Sequence, residues 1–154
     1  MPFRILVMGL PGSGKTTFSK IFVKMLLNHF ADVGYYNADK VREVFEDWDF
    51  SELGRVRQSS RMRDLADHHE VSVCDFVCPT EMTRKKFDPD YVIWLNTITE
   101  SKYTDTNKIF EIPKRFDMEI KNYNENAVSM ITAITQIKRR LDAEPDQTSQ
   151  KVLY

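Results

Sequence analysis

The stretch from Gly9 to Thr16, GLPGSGKT, constrains this chain more than any other feature of its sequence. It satisfies the pattern G-x-x-x-x-G-K-[ST] without a mismatch. A short apolar run, residues 3–8, precedes it. Apolar residues at helical spacing follow it, over residues 15–29. The sequence therefore predicts a buried strand, a glycine-rich loop and an amphipathic helix, in that order.

A glycine-rich loop in this context is suited to holding the phosphates of a nucleoside triphosphate. Its glycines let the backbone amides turn toward a phosphate, and the following helix adds its positive N-terminal end. Lys15 can reach the β- and γ-phosphates, the Thr16 hydroxyl can bind Mg²⁺, and Thr17 is expected near the α-phosphate. The predicted nucleotide-binding residues are Gly9, Gly12, Ser13, Gly14, Lys15, Thr16 and Thr17.

Strands and helices alternate along the rest of the sequence. Further strands are predicted over residues 33–37, 71–77, 91–96 and 118–121. Further helices are predicted over residues 40–45, 51–69, 81–86 and 127–141, whereas residues 97–115 are polar and are expected to be irregular. This order favours an α/β protein with a three-layer P-loop NTPase fold, in which a parallel sheet of about five strands is flanked by helices.

The bulk properties indicate one domain. A chain of 154 residues suits a single core, and we expect this domain over residues 1–144 with a polar, frayed tail over residues 145–154. The 22 Lys and Arg residues nearly balance the 23 Asp and Glu residues, which argues against nucleic acid or an anionic membrane as a partner. Cys74 and Cys78 are expected to be buried free thiols, as fits a cytoplasmic protein without a membrane span.

Three classes of nucleotide-binding protein use such a loop: GTPase switches, ATP-driven remodelling proteins and small-molecule kinases. A GTPase needs an N/T-K-x-D motif after a late strand, and residues 96–103, NTITESKY, contain none. The chain is also short for a remodelling motor. The sequence therefore favours a kinase that uses ATP and Mg²⁺.

Acidic side chains follow two of the predicted strands. Asp39 follows the second strand, where it can orient Mg²⁺ or accept the proton of an acceptor hydroxyl, or else cap the next helix. Asp75 follows the third strand and can hold Mg²⁺ through water, or else only cap the strand end. The predicted catalytic residues are Asp39 and Lys15, and the predicted metal residues are Thr16, Asp39 and Asp75.

Arginines mark the acceptor side of the predicted site. Arg42 lies about one helical turn after Asp39 and can hold an anion. The next predicted helix carries four arginines with few acidic partners on the same helix: Arg55, Arg57, Arg61 and Arg63. An anionic acceptor would explain this surplus.

Over residues 4–96 the sequence resembles the adenylylsulfate (APS) kinases, which phosphorylate the 3′-hydroxyl of adenosine 5′-phosphosulfate with ATP. Its glycine-rich loop is similar to theirs, with Pro11 where the family generally has Ser. Residues 37–42, NADKVR, resemble the family motif D-G-D-N-[IV]-R, and residues 49–61 resemble G-F-S followed by D-R-x-E-N-[IV]-R-R. Residues 75–79, DFVCP, resemble S-F-[IV]-S-P.

The resemblance implies a divergent, short APS kinase in which Asp39 takes the catalytic acid position. Arg42, Arg55 and Gln58 would contact the phosphosulfate, and Phe50 would stack on its adenine. Lys108 and Phe110 would replace the K-G-F of the family, since the segment after residue 96 is shorter than the family's lid. The implied substrate-binding residues are Arg42, Phe50, Arg55, Gln58, Phe76, Lys108 and Phe110.

Two alternatives to an APS kinase follow from the short lid. One is a kinase for another hydroxyl, such as a nucleoside, a modified base, a polynucleotide or a small sugar. The other is a nucleotide-binding protein without turnover. For the APS kinase the expected partner is a small-molecule nucleotide acceptor, adenylylsulfate, and the apolar faces of the terminal helices could support a homodimer.

Overall fold

A computed structural model describes the backbone of residues 1–152 and the side chains of residues 1–143. Its strands are β1 (Phe3–Met8), β2 (Val33–Asn37), β3 (Val71–Asp75), β4 (Tyr91–Leu95) and β5 (Met118–Ile120). Its α-helices are α1 (Lys15–Leu26), α2 (Ala38–Phe45), α3 (Glu52–Ala66), α4 (Glu81–Phe87), α5 (Thr104–Ile109) and α6 (Asn126–Val152). A short 3₁₀ helix, Tyr123–Glu125, precedes α6.

The five strands form one parallel sheet in the order β2-β3-β1-β4-β5. β1 is central, and the chain adds strands first on one side of it and then on the other. In open parallel sheets a site forms outside the carboxyl ends of the strands, where the chain changes sides. The predicted α/β fold with about five parallel strands is confirmed.

Alternate residues of β1 face two separate cores, because successive side chains of a strand point to opposite faces. Ile5 and Val7 belong to the core formed with α1 and α6. Leu6 and Met8 belong to the core formed with α3 and α4. All four side chains are fully buried, so the sheet is covered on both faces and β1 is held from both sides.

The structure differs most from the predicted elements at three places. β3 ends at Asp75 and not at Val77, because the chain turns away there and Cys78 has a φ of 46°. Residues 97–115 contain α5, which side-chain bonds support: the Asn107 amide donates to the Ser101 carbonyl over 2.8 Å, and its oxygen accepts from the Ser101 backbone over 2.9 Å. α6 continues to Val152, since the residues after Leu141 include good helix formers.

Two further predictions concern the tail and the thiols. The side chains of residues 144–152, and residues 153–154 altogether, lie outside the described residues. The backbone of residues 145–152 belongs to α6, and the frayed tail over residues 145–154 stays a prediction. Cys74 and Cys78 are free and buried, as predicted. Among the described residues, no helix has the length and apolar character that crossing a bilayer requires.

Candidate active site

A cleft of about 1360 Å³ lies at the carboxyl edge of the sheet. It is bounded by the glycine-rich loop, the start of α2, the first half of α3, the chain after β3 and residues 98–106. Most of the predicted site residues line it together: Gly12, Gly14, Lys15, Thr16, Thr17, Asp39, Arg42, Phe50, Arg55, Gln58, Asp75 and Phe76. The fold thus brings the predicted nucleotide-binding residues and the predicted acceptor-binding residues to one cavity.

The glycine-rich loop has a backbone that side chains would not tolerate. Gly14 has a φ of 98°, and a Cβ atom there would lie 2.7 Å from the Tyr123 ring. At Gly9, a Cβ would lie 2.6 Å from both the Leu95 carbonyl oxygen and Ser13 Oγ. Gly9 and Ser13 therefore form the buried base of the loop, behind the residues that face the cleft.

Lys15 is folded back over its own loop. Its Nζ donates a hydrogen bond of 3.0 Å to the Leu10 carbonyl. Burial lowers the pKa of Lys15 to about 8, and the negative charges of Asp75 and Asp39 only partly oppose this effect. A phosphate anion in the loop would stabilise the charged form of this amine, so the lysine is prepared for an anionic ligand.

Asn37 links the loop to Asp75 and to the start of α2. Its Nδ2 donates to Thr16 Oγ1 over 3.2 Å and to Asp75 Oδ1 over 2.9 Å. Its Oδ1 accepts from the Lys40 backbone N–H over 3.1 Å and caps α2, the helix that begins with Ala38 and Asp39. The alternative that Asp39 caps α2 is therefore wrong, because Asn37 has that role.

Asp75 lies at the end of β3 and is buried, with 2% of its surface exposed. Burial raises its pKa, whereas the hydrogen bond from Tyr35, the charge of Lys15 and the bond from Asn37 oppose that shift. Asp39 is different: it is exposed, and within the described residues its side chain has no hydrogen bond or ion pair. Asp75 is thus held in place by hydrogen bonds from Tyr35 and Asn37, whereas the Asp39 carboxylate is free to meet a ligand.

The acceptor side of the cleft is organised around the ring of Phe50. The guanidinium carbon of Arg42 lies 4.3 Å from the ring centroid and that of Arg55 lies 5.3 Å from it. Arg42 is buried and donates to the main-chain oxygens of Asp47 and Asp49 over 2.9 and 3.1 Å. In this structure Arg42 holds the α2–α3 loop in place, and its burial lowers its pKa.

Arg55 and Gln58 connect α3 to the other walls of the cleft. Arg55 donates to the Phe50 carbonyl over 3.0 Å and to Thr106 Oγ1, on α5, over 3.4 Å. Gln58, which is buried, donates to the Ala38 carbonyl over 3.1 Å. Burial lowers the pKa of Arg55, an effect opposed by the charge of Asp105. Arg55 therefore carries a positive charge at the boundary between α3 and the 98–106 segment.

The surplus of arginines on α3 is partly explained by acids from the preceding loop. Arg57 pairs with Asp47 over 2.7 Å and with Asp49 over 3.1 Å, and Arg61 pairs with Asp47 over 3.1 Å. These bonds hold the pKa of Asp47 well below its usual range. Arg57 and Arg61 therefore have acidic partners outside their own helix, and their presence does not require an anionic acceptor.

Lys108 and Phe110 do not line the cleft in the part of the chain that the structure describes. Lys108 is exposed on α5, and Phe110 packs against the core under α3 and α4, with the Arg84 guanidinium carbon 5.5 Å from its ring centroid. Two exposed aromatic residues occupy the cleft wall instead, Trp48 and Tyr103. Their only sequence signal is an aromatic residue within a polar segment.

A parallel sheet whose first strand leads into G-x-x-x-x-G-K-T, with carboxylates facing the loop, defines a P-loop kinase, an ATP-dependent phosphotransferase. The sequence model of the family described as adenylylsulphate kinase matches residues 1–93, more than half of the chain. The protein belongs to the adenylylsulphate kinase family.

Solved structures share this fold. The Mycobacterium tuberculosis APS kinase CysC in complex with AMPPNP and APS is 16% identical, with a TM-score of 0.67 over 88% of this chain and 97% of that one. A Sinorhizobium meliloti gluconokinase is 13% identical, with a TM-score of 0.66 over 93% and 97%. A hexameric APS kinase from Thiobacillus denitrificans is 19% identical, with a TM-score of 0.62 over 92% of this chain and 29% of that one. No curated protein sequence matches this chain.

Proposed function

We propose that this kinase transfers the γ-phosphate of ATP to the 3′-hydroxyl of adenosine 5′-phosphosulfate. The observation that carries the proposal is that one cleft holds Lys15 and Thr16 together with Asp39, Phe50 and Arg55. Family membership supports the reaction, and the M. tuberculosis neighbour was solved with AMPPNP and APS.

The glycine-rich loop is proposed to bind the triphosphate. Its amides and Lys15 would hold the β- and γ-phosphates, and Thr17 would lie at the α-phosphate. Lys15 lines the same cleft as Asp39 and Asp75, and their negative charges favour the charged form of its amine. Charge on the transferring phosphate would then be neutralised without a change in the protein.

The site residues fit Mg²⁺, which takes hard oxygen ligands and is usually held by one or two carboxylates plus substrate phosphates. Thr16, Asp39 and Asp75 offer a hydroxyl and two carboxylates at one end of the loop. Within the described residues there is no group of three or more His, Cys, Asp or Glu that could hold a metal alone. The ion is therefore proposed to bind together with the nucleotide.

Asp39 is proposed to position the acceptor hydroxyl and take its proton. Its carboxylate is exposed in the cleft, in the first turn of α2, and is not needed as a cap. Arg55 would bind the anionic part of the acceptor, and Gln58 would fix the α2–α3 junction through Ala38. Phosphoryl transfer requires mainly alignment of the reactants and neutralisation of charge, which Asp39, Arg55 and Gln58 would supply here.

A second candidate acceptor is a small hydroxylated compound such as a sugar acid. Phe110, the implied second half of an adenine clamp, packs in the core, and the Phe50 ring lies under two guanidinium groups. Both observations favour an acceptor without a purine ring.

Coupled measurement of ADP release from Mg·ATP, with and without low micromolar APS, tests the proposal. APS-dependent release and a 3′-phosphorylated sulfonucleotide product would support the first candidate. Release that requires gluconate or shikimate, and is not increased by APS, would support the second and reject the first. ATP binding with no ADP release for any of these compounds would reject both.

We also propose a cytoplasmic protein that acts on a small molecule and forms a homodimer. The exposed apolar residues that support a dimer lie on or next to α1 and on α6: Ile21, Leu27, Val128 and Ile131. Light scattering after gel filtration measures the mass directly. A mass near the 18.1 kDa of the single chain at all concentrations would reject the dimer.

A further inference from the structure

Asn37 and Asp75 are neighbours across the sheet. β2 and β3 are parallel, and these two residues are partners in their register at the last position of each strand. Their side chains are joined by the hydrogen bond of 2.9 Å from Asn37 Nδ2 to Asp75 Oδ1. An amide and a carboxylate of nearly the same shape thus face each other at the edge of the cleft.

Every polar atom of this pair has a partner. The second Nδ2 hydrogen of Asn37 goes to Thr16 Oγ1, and its Oδ1 accepts from the Lys40 backbone N–H. The second oxygen of Asp75 accepts from the Tyr35 hydroxyl. The pair therefore carries one negative charge. The Asn37 amide connects it to Thr16, one of the residues proposed to hold Mg²⁺.

The same contacts can be satisfied with the two groups exchanged. A carboxylate at position 37 would accept from the Lys40 N–H, from the Thr16 hydroxyl and from an amide at position 75. An amide oxygen at position 75 would still accept from Tyr35. Asp caps a helix as well as Asn does, so the start of α2 would be kept.

We infer that Asn37 is a positioning residue, and that Asn37 and Asp75 together supply one carboxylate beside Thr16, which either position can carry. This inference rests on the proposed binding of Mg²⁺ with the nucleotide. It explains why an amide at position 37 faces the acid at position 75: with two acids the shared hydrogen bond becomes a contact between like charges, and with two amides the charge is lost.

The test is a cycle of Asn37→Asp, Asp75→Asn and the exchanged double variant. Three quantities are measured for each: the melting temperature, the affinity for AMPPNP with Mg²⁺ and with EDTA, and kcat. We expect Asn37→Asp to lower the melting temperature. Asp75→Asn should melt close to the wild type. Its gain in AMPPNP affinity from Mg²⁺ should be about 10- to 100-fold smaller than that of the wild type, the usual effect of removing a group that orients a metal ligand.

The double variant decides the question. We expect it to melt at a higher temperature than Asn37→Asp. We also expect its kcat and its gain in AMPPNP affinity from Mg²⁺ to be at least tenfold larger than those of Asp75→Asn. If the losses of the two single variants simply multiply in the double variant, the inference is overturned, because independent residues show no coupling. Recovery of melting temperature alone would overturn it too, since the pair would then only stabilise the fold.

Two further outcomes are informative. If Asn37→Asp does not fold but the double variant does, kcat and Mg²⁺-dependent affinity relative to Asp75→Asn decide: recovery supports the exchange and no recovery rejects it. If neither folds, the exchange is rejected. The wild type separates this inference from the proposed function. Equal AMPPNP affinity of the wild type in Mg²⁺ and EDTA would reject the proposed metal site and this inference with it, whereas a clear Mg²⁺ effect in the wild type without coupling in the cycle would reject this inference alone.

Discussion

On the proposed nucleotide side of the cleft, the backbone of the glycine-rich loop forms the site. On the proposed acceptor side, the site is formed by side chains that contact one another. The loop is fixed by its glycines and by two buried strands, β1 and β3. The acceptor side depends on contacts among Arg42, Phe50 and Arg55, and on acids of the α2–α3 loop. The first kind of site accepts one type of ligand, and the second can change its ligand by changing a few side chains.

Substitution on the nucleotide side should have the largest effect. Lys15→Ala removes the amine that is proposed to hold the transferring phosphate, and we expect kcat to fall about 10³-fold, the upper range for loss of one stabilising donor. Lys20→Ala, on the exposed face of α1, is the matched control and should keep its kcat. A similar small loss in both variants would show that Lys15 does not contact the reacting phosphate.

Asp39 tests the meeting point of the two sides. Asp39→Asn should lower kcat about 10²-fold or more, the effect of a lost general base, with little change in ATP affinity. Steady-state kinetics and calorimetric titration with AMPPNP separate the two quantities. If ATP affinity falls as much as kcat, the carboxylate serves the metal and not the acceptor hydroxyl.

The acceptor side should respond in KM. Arg55→Ala removes a charged donor from the cleft, and we expect the KM for the acceptor to rise about 10- to 100-fold, as for a lost bond to a charged group. Arg63→Ala is the matched control, because Arg63 lies on the same helix outside the cleft lining, with its guanidinium 3.9 Å from Asp88. Equal KM values for the two variants would remove Arg55 from the acceptor site.

The lowered pKa of Lys15, about 8, predicts a pH dependence on the nucleotide side. Phosphate favours the charged amine, so ATP affinity is fully present below pH 8 and is lost as the pH rises above it, by up to about tenfold per unit. Calorimetric titration from pH 6.5 to 9.5 measures this slope. The ATP affinity of Lys15→Arg should not fall over this pH range, because arginine keeps its proton throughout.

The smallest effect is expected from the loop backbone itself. Gly14→Ala should lower the free energy of unfolding by about 1–2 kcal/mol, since its φ of 98° suits glycine. Adding Tyr123→Ala should relieve only the contact with the ring and recover part of that loss. Chemical denaturation measures both variants; full recovery would show that the backbone conformation costs nothing.

The same contrast separates what could be predicted from sequence and what could not. The glycine-rich loop and the strand–helix alternation are local patterns, and both were confirmed. Gly12, Lys15 and Asp39 line one cleft because the order of a parallel sheet brings strand ends together. The fold therefore followed almost entirely from residues read in order.

The acceptor side was less predictable because its partners are distant in sequence. Nothing near Arg57 shows that Asp47 is its partner, and nothing near Phe110 shows that it packs in the core beneath α3. α5 was missed because the bonds between Ser101 and Asn107, and not a periodic apolar face, support it. The role of Asn37 also needs the register of β2 and β3, which a single sequence does not give.

The two tryptophans give this protein an internal optical reporter. Trp48 is about half exposed on the cleft wall, with its ring 6.4 Å from that of Phe50, whereas Trp94 is buried in β4. An acceptor that enters the cleft would change the surroundings of Trp48 alone and leave the emission of Trp94 as a constant background. Acceptor binding can therefore be followed by fluorescence in the unlabelled protein, compound by compound, before any turnover is measured.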